Sequence, residues 1–195
     1  GYTFARGLRA ILRQDPDIVM VGEMRDIETA QIGIQASLTG HLVLSTVHTN
    51  SAVAAITRLR DMGIESFLLA SSLRTIISQR LVRRLCLNCR YEDKTTNEVA
   101  KLFNLQNDQK IYKSKGCNKC SNTGYQGRIA IAECIQVDKR LKEMIHNNSS
   151  ETEISNHVFK ESQSIDQASL DLLINGITSA DELIRVGNLK EDAEL

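Results

Sequence analysis

The chain has 195 residues, with 24 basic and 24 acidic side chains and no formal net charge. Its 42% hydrophobic and 25% charged residues are the makeup of a folded globular chain, not of a disordered one. The neutral balance excludes a protein built chiefly to coat nucleic acid or anionic lipid, no apolar run approaches the ~18 residues that span a bilayer, and five cysteines are too few, and odd in number, for a disulfide scaffold.

The N-terminus has neither the apolar core of a signal peptide nor an initiator Met, and reads as part of a longer, cytosolic chain. Phe4, Leu8, Ile11 and Leu12 fall at helical spacing, and Pro16 ends that pattern. Ile18-Val19-Met20-Val21 is a short β-branched run, the mark of a strand buried on both faces. A helix over Glu28–Leu38 should stop at Gly40. Leu42–Val47 reads as a second strand, and Ser51–Met62 as a helix capped by Asn50 or Ser51 and ended by Gly63. Phe67–Leu85 reads as one long helix. Strands alternating with helices predict a mostly parallel α/β sheet.

At Cys86 the pattern changes. A polar segment with a short helical stretch at Val99–Leu105 lies between two Cys-x-x-Cys pairs, and Ile129–Ile135 reads as a strand. Beyond Asp138 the chain reads as short helices. Ser150/Glu153 and Ser179/Glu182 are spaced as capping boxes, and Gly176 sits where a helix should stop. Ile154, Val158, Phe159, Leu170, Leu173, Ile174, Leu183 and Ile184 predict a small helical core that packs against the α/β core or a neighbouring subunit. The expected organisation is an α/β core over 1–85, a four-cysteine module over 86–128, a mainly helical domain over 129–187 and a tail over 188–195.

Residues 1–85 hold ten arginines, no lysine and seven acids. Arginine offers a planar fork suited to phosphate and to carboxylates at interfaces.

Cys86-x-x-Cys89 and Cys117-x-x-Cys120 give two tight turns, each presenting two thiolates to one tetrahedral ion. A redox role calls for a single pair at a helix start. Four protein ligands leave no open position, so a zinc ion here is structural. Cys134, in the strand-like run, reads as an ordinary buried cysteine. Lys110, Lys113, Lys115 and Lys119 with Tyr112 are a weak nucleic-acid pattern, and the acidic balance of residues 86–195 argues against it.

Asp15-Pro16-Asp17-Ile18-Val19-Met20-Val21-Gly22-Glu23 has the form of a Walker B strand, in which a buried strand delivers a carboxylate at its C-terminal end. An acid just past a core strand is common, so this pattern alone is weak. Thr39-Gly40-His41 and Ser45-Thr46-Val47-His48-Thr49-Asn50 flank the next strand with histidines and hydroxyls, which makes a polar site the better reading.

Together these boxes resemble the secretion ATPases of type II secretion and type IV pilus assembly. The match runs over about residues 3–187 and includes the four cysteines and Gly124-Tyr125-Gln126-Gly127-Arg128. The resemblance implies the C-terminal half of a RecA-like P-loop NTPase core, working as a hexamer with ATP and Mg²⁺. It implies Glu23 as the Walker B carboxylate, and His41 and His48 as residues that position or sense the γ-phosphate. Arg9, Arg13 and Arg25 would be interface, phosphate or structural arginines. Implied partners are an inner-membrane platform protein and a cytoplasmic-domain linker, with the motor cytoplasmic and peripheral to the membrane.

The sequence has no Gly-x-x-x-x-Gly-Lys-[Ser/Thr] loop, and its first lysine is Lys94. The anion nest for the phosphates is therefore expected elsewhere in a longer protein, and this chain alone is expected to be inactive. The alternative is a non-enzymatic, zinc-stapled docking module.

Overall fold

The computed structural model describes residues 3–187, so the expected tail over 188–195 lies outside the described residues. The chain divides into two compact units, residues 1–78 with 134–162 and residues 79–133 with 163–195.

The first unit begins with helix α1 (Phe4–Leu12), capped by Thr3. Strand β1 (Ile18–Val21) pairs in parallel with β2 (Leu42–Ser45), in the register Ile18↔Leu42 to Val21↔Ser45. Between them runs α2 (Ile27–Leu38), whose N-cap Asp26 accepts a hydrogen bond from Thr29 N at 2.8 Å. Helices α3 (Ala52–Asp61) and α4 (Ser66–Ser72) follow.

Strand β3 (Thr75–Leu85) carries the chain into the second unit, and β6 (Tyr125–Gln136), its partner in a two-stranded sheet, returns it. Between them lie the antiparallel pair β4 (Tyr91–Lys94) and β5 (Lys110–Lys113), with α5 (Asn97–Leu102) in the connection. The chain then forms α6 (Lys139–His146) and α7 (Glu151–Val158) in the first unit, and α8 (Ile165–Ile174) and α9 (Ala180–Gly187) in the second. Among the described residues no helix is long and apolar enough to cross a membrane.

The alternating α/β order and the parallel pair agree with the sequence. Four expectations need correction. Residues 67–85 are not one helix. Helix α4 stops at Ser72, and from Thr75 the chain is strand. In β3 the partly buried Ile76, Ser78 and Arg80 and the buried Val82 alternate with exposed Thr75, Ile77, Gln79 and Leu81. β-Branched Ile76, Ile77 and Val82 suit that pleat, and pairing with distant β6 decides it.

Strand β1 is covered on one face only. Val19 and Val21 pack with Ala5, Leu8 and Ile32, while Ile18 and Met20 are 60% and 74% exposed. Helices α1 and α2 supply that single covering layer, and Leu42 and Leu44 of β2 are likewise half exposed. Cys134 is exposed, because the inward positions of β6 are Ile131, Glu133 and Ile135.

The late apolar residues do not make a core of their own. Ile154 and Val158 join the cluster of α2, α3, α4 and α6 around Ile56 and Leu69. Leu173 and Leu183 join the other unit's cluster with Val82, Ile111 and Ile131. Helical spacing marks which face is apolar and carries no information about which core receives it.

Candidate functional sites: a carboxylate cluster and a four-thiol cluster

Parallel strands place their C-terminal ends on one edge, where α/β folds collect polar groups. Here those ends are Val21 and Ser45, and the loops beyond them are tied together. Met24 N donates to Thr46 O at 3.0 Å, and Thr46 Oγ1 donates to Gly22 O at 2.5 Å. These bonds hold the Gly22–Met24 and Thr46–His48 segments side by side. Glu23 Oε2 consequently sits 2.5 Å from Arg25 Nε and 3.2 Å from His48 Nε2.

The Glu23 side chain is about a third exposed (30%), and its Oε2 is shut off from solvent without a well-aligned hydrogen bond. The Arg25 guanidinium beside it is the main reason its carboxyl is held below the usual range, and His48 adds to that effect against a desolvation cost. An acid held ionised at the end of two parallel strands is suited to orienting water or a divalent cation's water shell.

The other residues singled out in the sequence lie elsewhere. His41 is at the start of β2, the opposite end from Glu23, and its Nδ1 pairs with Ala36 O at 3.0 Å, with Thr39 Oγ1 at 3.3 Å. Arg9 of α1 pairs with Glu28 of α2 at 2.9 Å, with both side chains half exposed. Arg13 is the exposed C-cap of α1. Asp26, three residues beyond Glu23, is a helix cap.

The second cluster is in the other unit. Cys86, Cys89, Cys117 and Cys120 bring their sulfurs within 4.8 Å of one another. Cys86 and Cys117 are 3.9 Å apart, and Cys89 and Cys120 3.8 Å. Two backbone N–H groups, of Cys117 and Gly124, donate to Cys120 Sγ at 3.2 Å each. Burial pushes the Cys120 thiol up, but these donors outweigh it and bring it down to about 6. Burial pushes Cys89 up to about 11. Four sulfurs converging on one point, with N–H groups aimed at one of them, fit a soft tetrahedral cation. The turns need their glycines: Gly116 and Gly124 have φ of +101° and +77°, and a Cβ at Gly116 would lie 2.8 Å from Asn122 O.

A network that sequence reading missed holds this module's base. Glu182 of α9 is fully buried and accepts from Arg83 N, Nε and Nη2 and from Arg185 Nε and Nη2, at 2.6–2.9 Å. The only signal in the sequence was the Ser179/Glu182 spacing. Ser179 Oγ does accept from Glu182 N at 3.2 Å, but the carboxylate turns to the arginines.

Residues 1–185 match a family described as "Type II/IV secretion system protein". The chain is 54% identical over 186 residues to the type II secretion system ATPase E of Vibrio cholerae, covering 94% of this chain and 37% of that protein. It is 45% identical over 189 residues to the type IV pilus assembly ATPase PilB of Thermus thermophilus, covering 94% of this chain and 21% of that protein. Among solved structures, the pilus retraction motor PilT with bound ADP matches with a TM-score of 0.67 and 26% identity, over 94% of this chain and 43% of PilT. The chain thus spans less than half the length of each of these relatives.

Proposed function

This chain belongs to the type II/IV secretion system protein family, and we propose that it supplies the carboxylate side of the ATP site in a secretion or pilus-assembly motor. The observation that carries this reading is Glu23, which stands beyond the C-terminal end of β1 with Arg25 and His48 at its Oε2. In this reading residues 1–85 are the second half of a RecA-like core.

The residues present fit part of a Mg²⁺–ATP site. Glu23 would hold the cation's water shell, and His48 would position the carboxylate and the phosphate side of the site. His41 acts from the far end of β2, fixing the strand that delivers His48. Arg9, Arg13 and Arg25 stand on or next to the α1–β1 layer as candidates to meet a neighbouring subunit. Mg²⁺–ATP supplies the phosphoryl group and the charge neutralisation. The 195 residues hold no Gly-rich lysine loop, so in this reading the groups that nest the phosphates are contributed from outside them.

The four cysteines would hold a structural Zn²⁺ that fixes the turns around it. The assembled motor would be a cytoplasmic homo-hexamer that acts on an inner-membrane platform protein and is linked to the membrane by a partner's cytoplasmic domain. Purified native-length protein is expected to sediment as a hexamer and to release phosphate from ATP only with Mg²⁺. The 195-residue chain alone is expected to release none. Sustained phosphate release by the chain alone, surviving re-purification, would contradict this division of the site.

A further inference from the structure

Neutral overall, the chain is locally one-signed around its four cysteines. Residues 84–91 and 114–132 contain Arg84, Arg90, Lys115, Lys119 and Arg128 and not one acid. Arg90 is engaged, with its guanidinium over Tyr112 and donating to Gly176 O. The neighbouring lysines Lys94, Lys110 and Lys113 are paired with Asp108, Glu92 and Asp93. Lys115 and Lys119 are exposed, and among the described residues no carboxylate lies within ion-pair distance of either.

At the tip of the first turn, Leu87 is 73% exposed. It is held between Cys86 and Cys89, and its neighbour Asn88 reaches Cys117 Sγ at 3.7 Å, so the two turns abut. Lys119 sits in the facing turn between Cys117 and Cys120. Exposed Asn118, Ser121 and Asn122 complete the rim. Leu87 is the most exposed large apolar residue described in this unit, ahead of Leu81 at 54%, and lies outside its core around Val82, Ile111 and Leu173.

We propose that the four-cysteine turns are a membrane-contact surface, with Leu87 entering the interface of an anionic bilayer while Lys115 and Lys119 meet lipid phosphates. An apolar tip on one turn, with lysines and small amides in and beside the turn that abuts it, matches the headgroup boundary, where an apolar tip and long basic side chains are satisfied together. A protein partner would call for several apolar side chains at the centre of the patch, and here Leu87 is the one large exposed apolar residue of the two turns. The contact is local and does not depend on the chain's net charge.

The test is flotation of metal-loaded, native-length protein with vesicles of phosphatidylcholine alone or with about a third phosphatidylglycerol. No ATP is present, so the result stands apart from the ATPase reading. Binding is expected to the anionic vesicles only and to weaken with added salt. Leu87→Ser, and the pair Lys115→Glu with Lys119→Glu, should each lower the partition by at least about tenfold while keeping one metal per chain. Lys101→Glu with Lys139→Glu, the same charge change on the exposed faces of α5 and α6, should leave it unchanged. Equal binding by all variants, or equal loss in both double variants, would overturn the proposal. So would retention on poly-glutamate beads that depends on Leu87 and Lys119 without vesicle binding, which would assign the surface to an acidic protein.

Discussion

Arg83 and Glu182, 99 residues apart in the chain, are joined by three hydrogen bonds, one from the Arg83 backbone and two from its guanidinium. The guanidinium also stacks 4.1 Å over the Tyr125 ring, whose hydroxyl is 2.7 Å from Ser179 Oγ. One buried carboxylate thus ties β3, β6 and α9 together beside the four-cysteine turns.

Removing it should be costly. Truncating one partner of a buried charge pair typically costs about 3–5 kcal/mol. Here Arg83 and Arg185 are themselves half exposed and can rehydrate, so Glu182→Ala should fall near the lower end, about 3 kcal/mol. Burial raises the Glu182 carboxyl, but Arg185 and Arg83 outweigh that and lower it from 4.5 to about 2. A depressed carboxyl stabilises the fold above its unfolded value and loses that contribution as pH falls through its folded value. Melts of the wild type should therefore lose stability between pH 4.5 and about 2, and the Glu182→Gln protein should show a flatter acid limb.

Metal removal should act on one unit. A structural zinc site contributes on the order of 10 kcal/mol of apparent binding energy to folding around it. Chelation or Cys117→Ser should release hydrogen-exchange protection across residues 86–128 and leave residues 3–84 less affected. One zinc per chain by mass spectrometry under native conditions is the companion result. Uniform protection after metal loss would contradict it.

Arg60 should matter as a helix cap and not as an active-site arginine. Its Nη1 and Nη2 donate to Ser149 O at 3.2 Å and Ile145 O at 2.9 Å, at the end of α6, where a cation meets the carbonyl end of the helix dipole. Burial lowers its pKa from the usual arginine value. Arg60→Ala should cost about 2 kcal/mol in a denaturant titration, with Lys unable to restore both bonds.

Arg25 should tune Glu23. With the guanidinium gone, the Glu23 carboxyl should titrate at higher pH, moving up toward 4.5. Carbon-detected NMR of the Glu23 carboxyl in wild type and Arg25→Gln would show it, and no upward movement would mean that the pair does not persist in solution.

Much of the fold was legible because its signals are local. Pro16, Gly40 and Gly63 punctuate the first half, and caps such as Ser51 and Ser150 stand where they were expected. The four sulfurs were legible from spacing alone, since two matched turns leave little choice of geometry. Position 75 onward was misread because Leu69, Leu73 and Ile76 satisfy a helical stripe while Ile76 and Val82 also satisfy a pleat. Only the distant strand β6 decides between them. The same non-locality hid Glu182, whose partners lie a hundred residues upstream and three downstream. His41 and His48 look equivalent in sequence, yet a four-residue strand separates them, and His48 is the one beside Glu23.

The most direct measurement is steady-state ATP hydrolysis by the native-length protein carrying Glu23→Gln, alongside the wild type at matched oligomeric state. The account predicts that ATP binding and melting temperature are retained and that turnover falls by at least about a hundredfold. Turnover near the wild-type rate would mean that Glu23 is not the carboxylate of the ATP site.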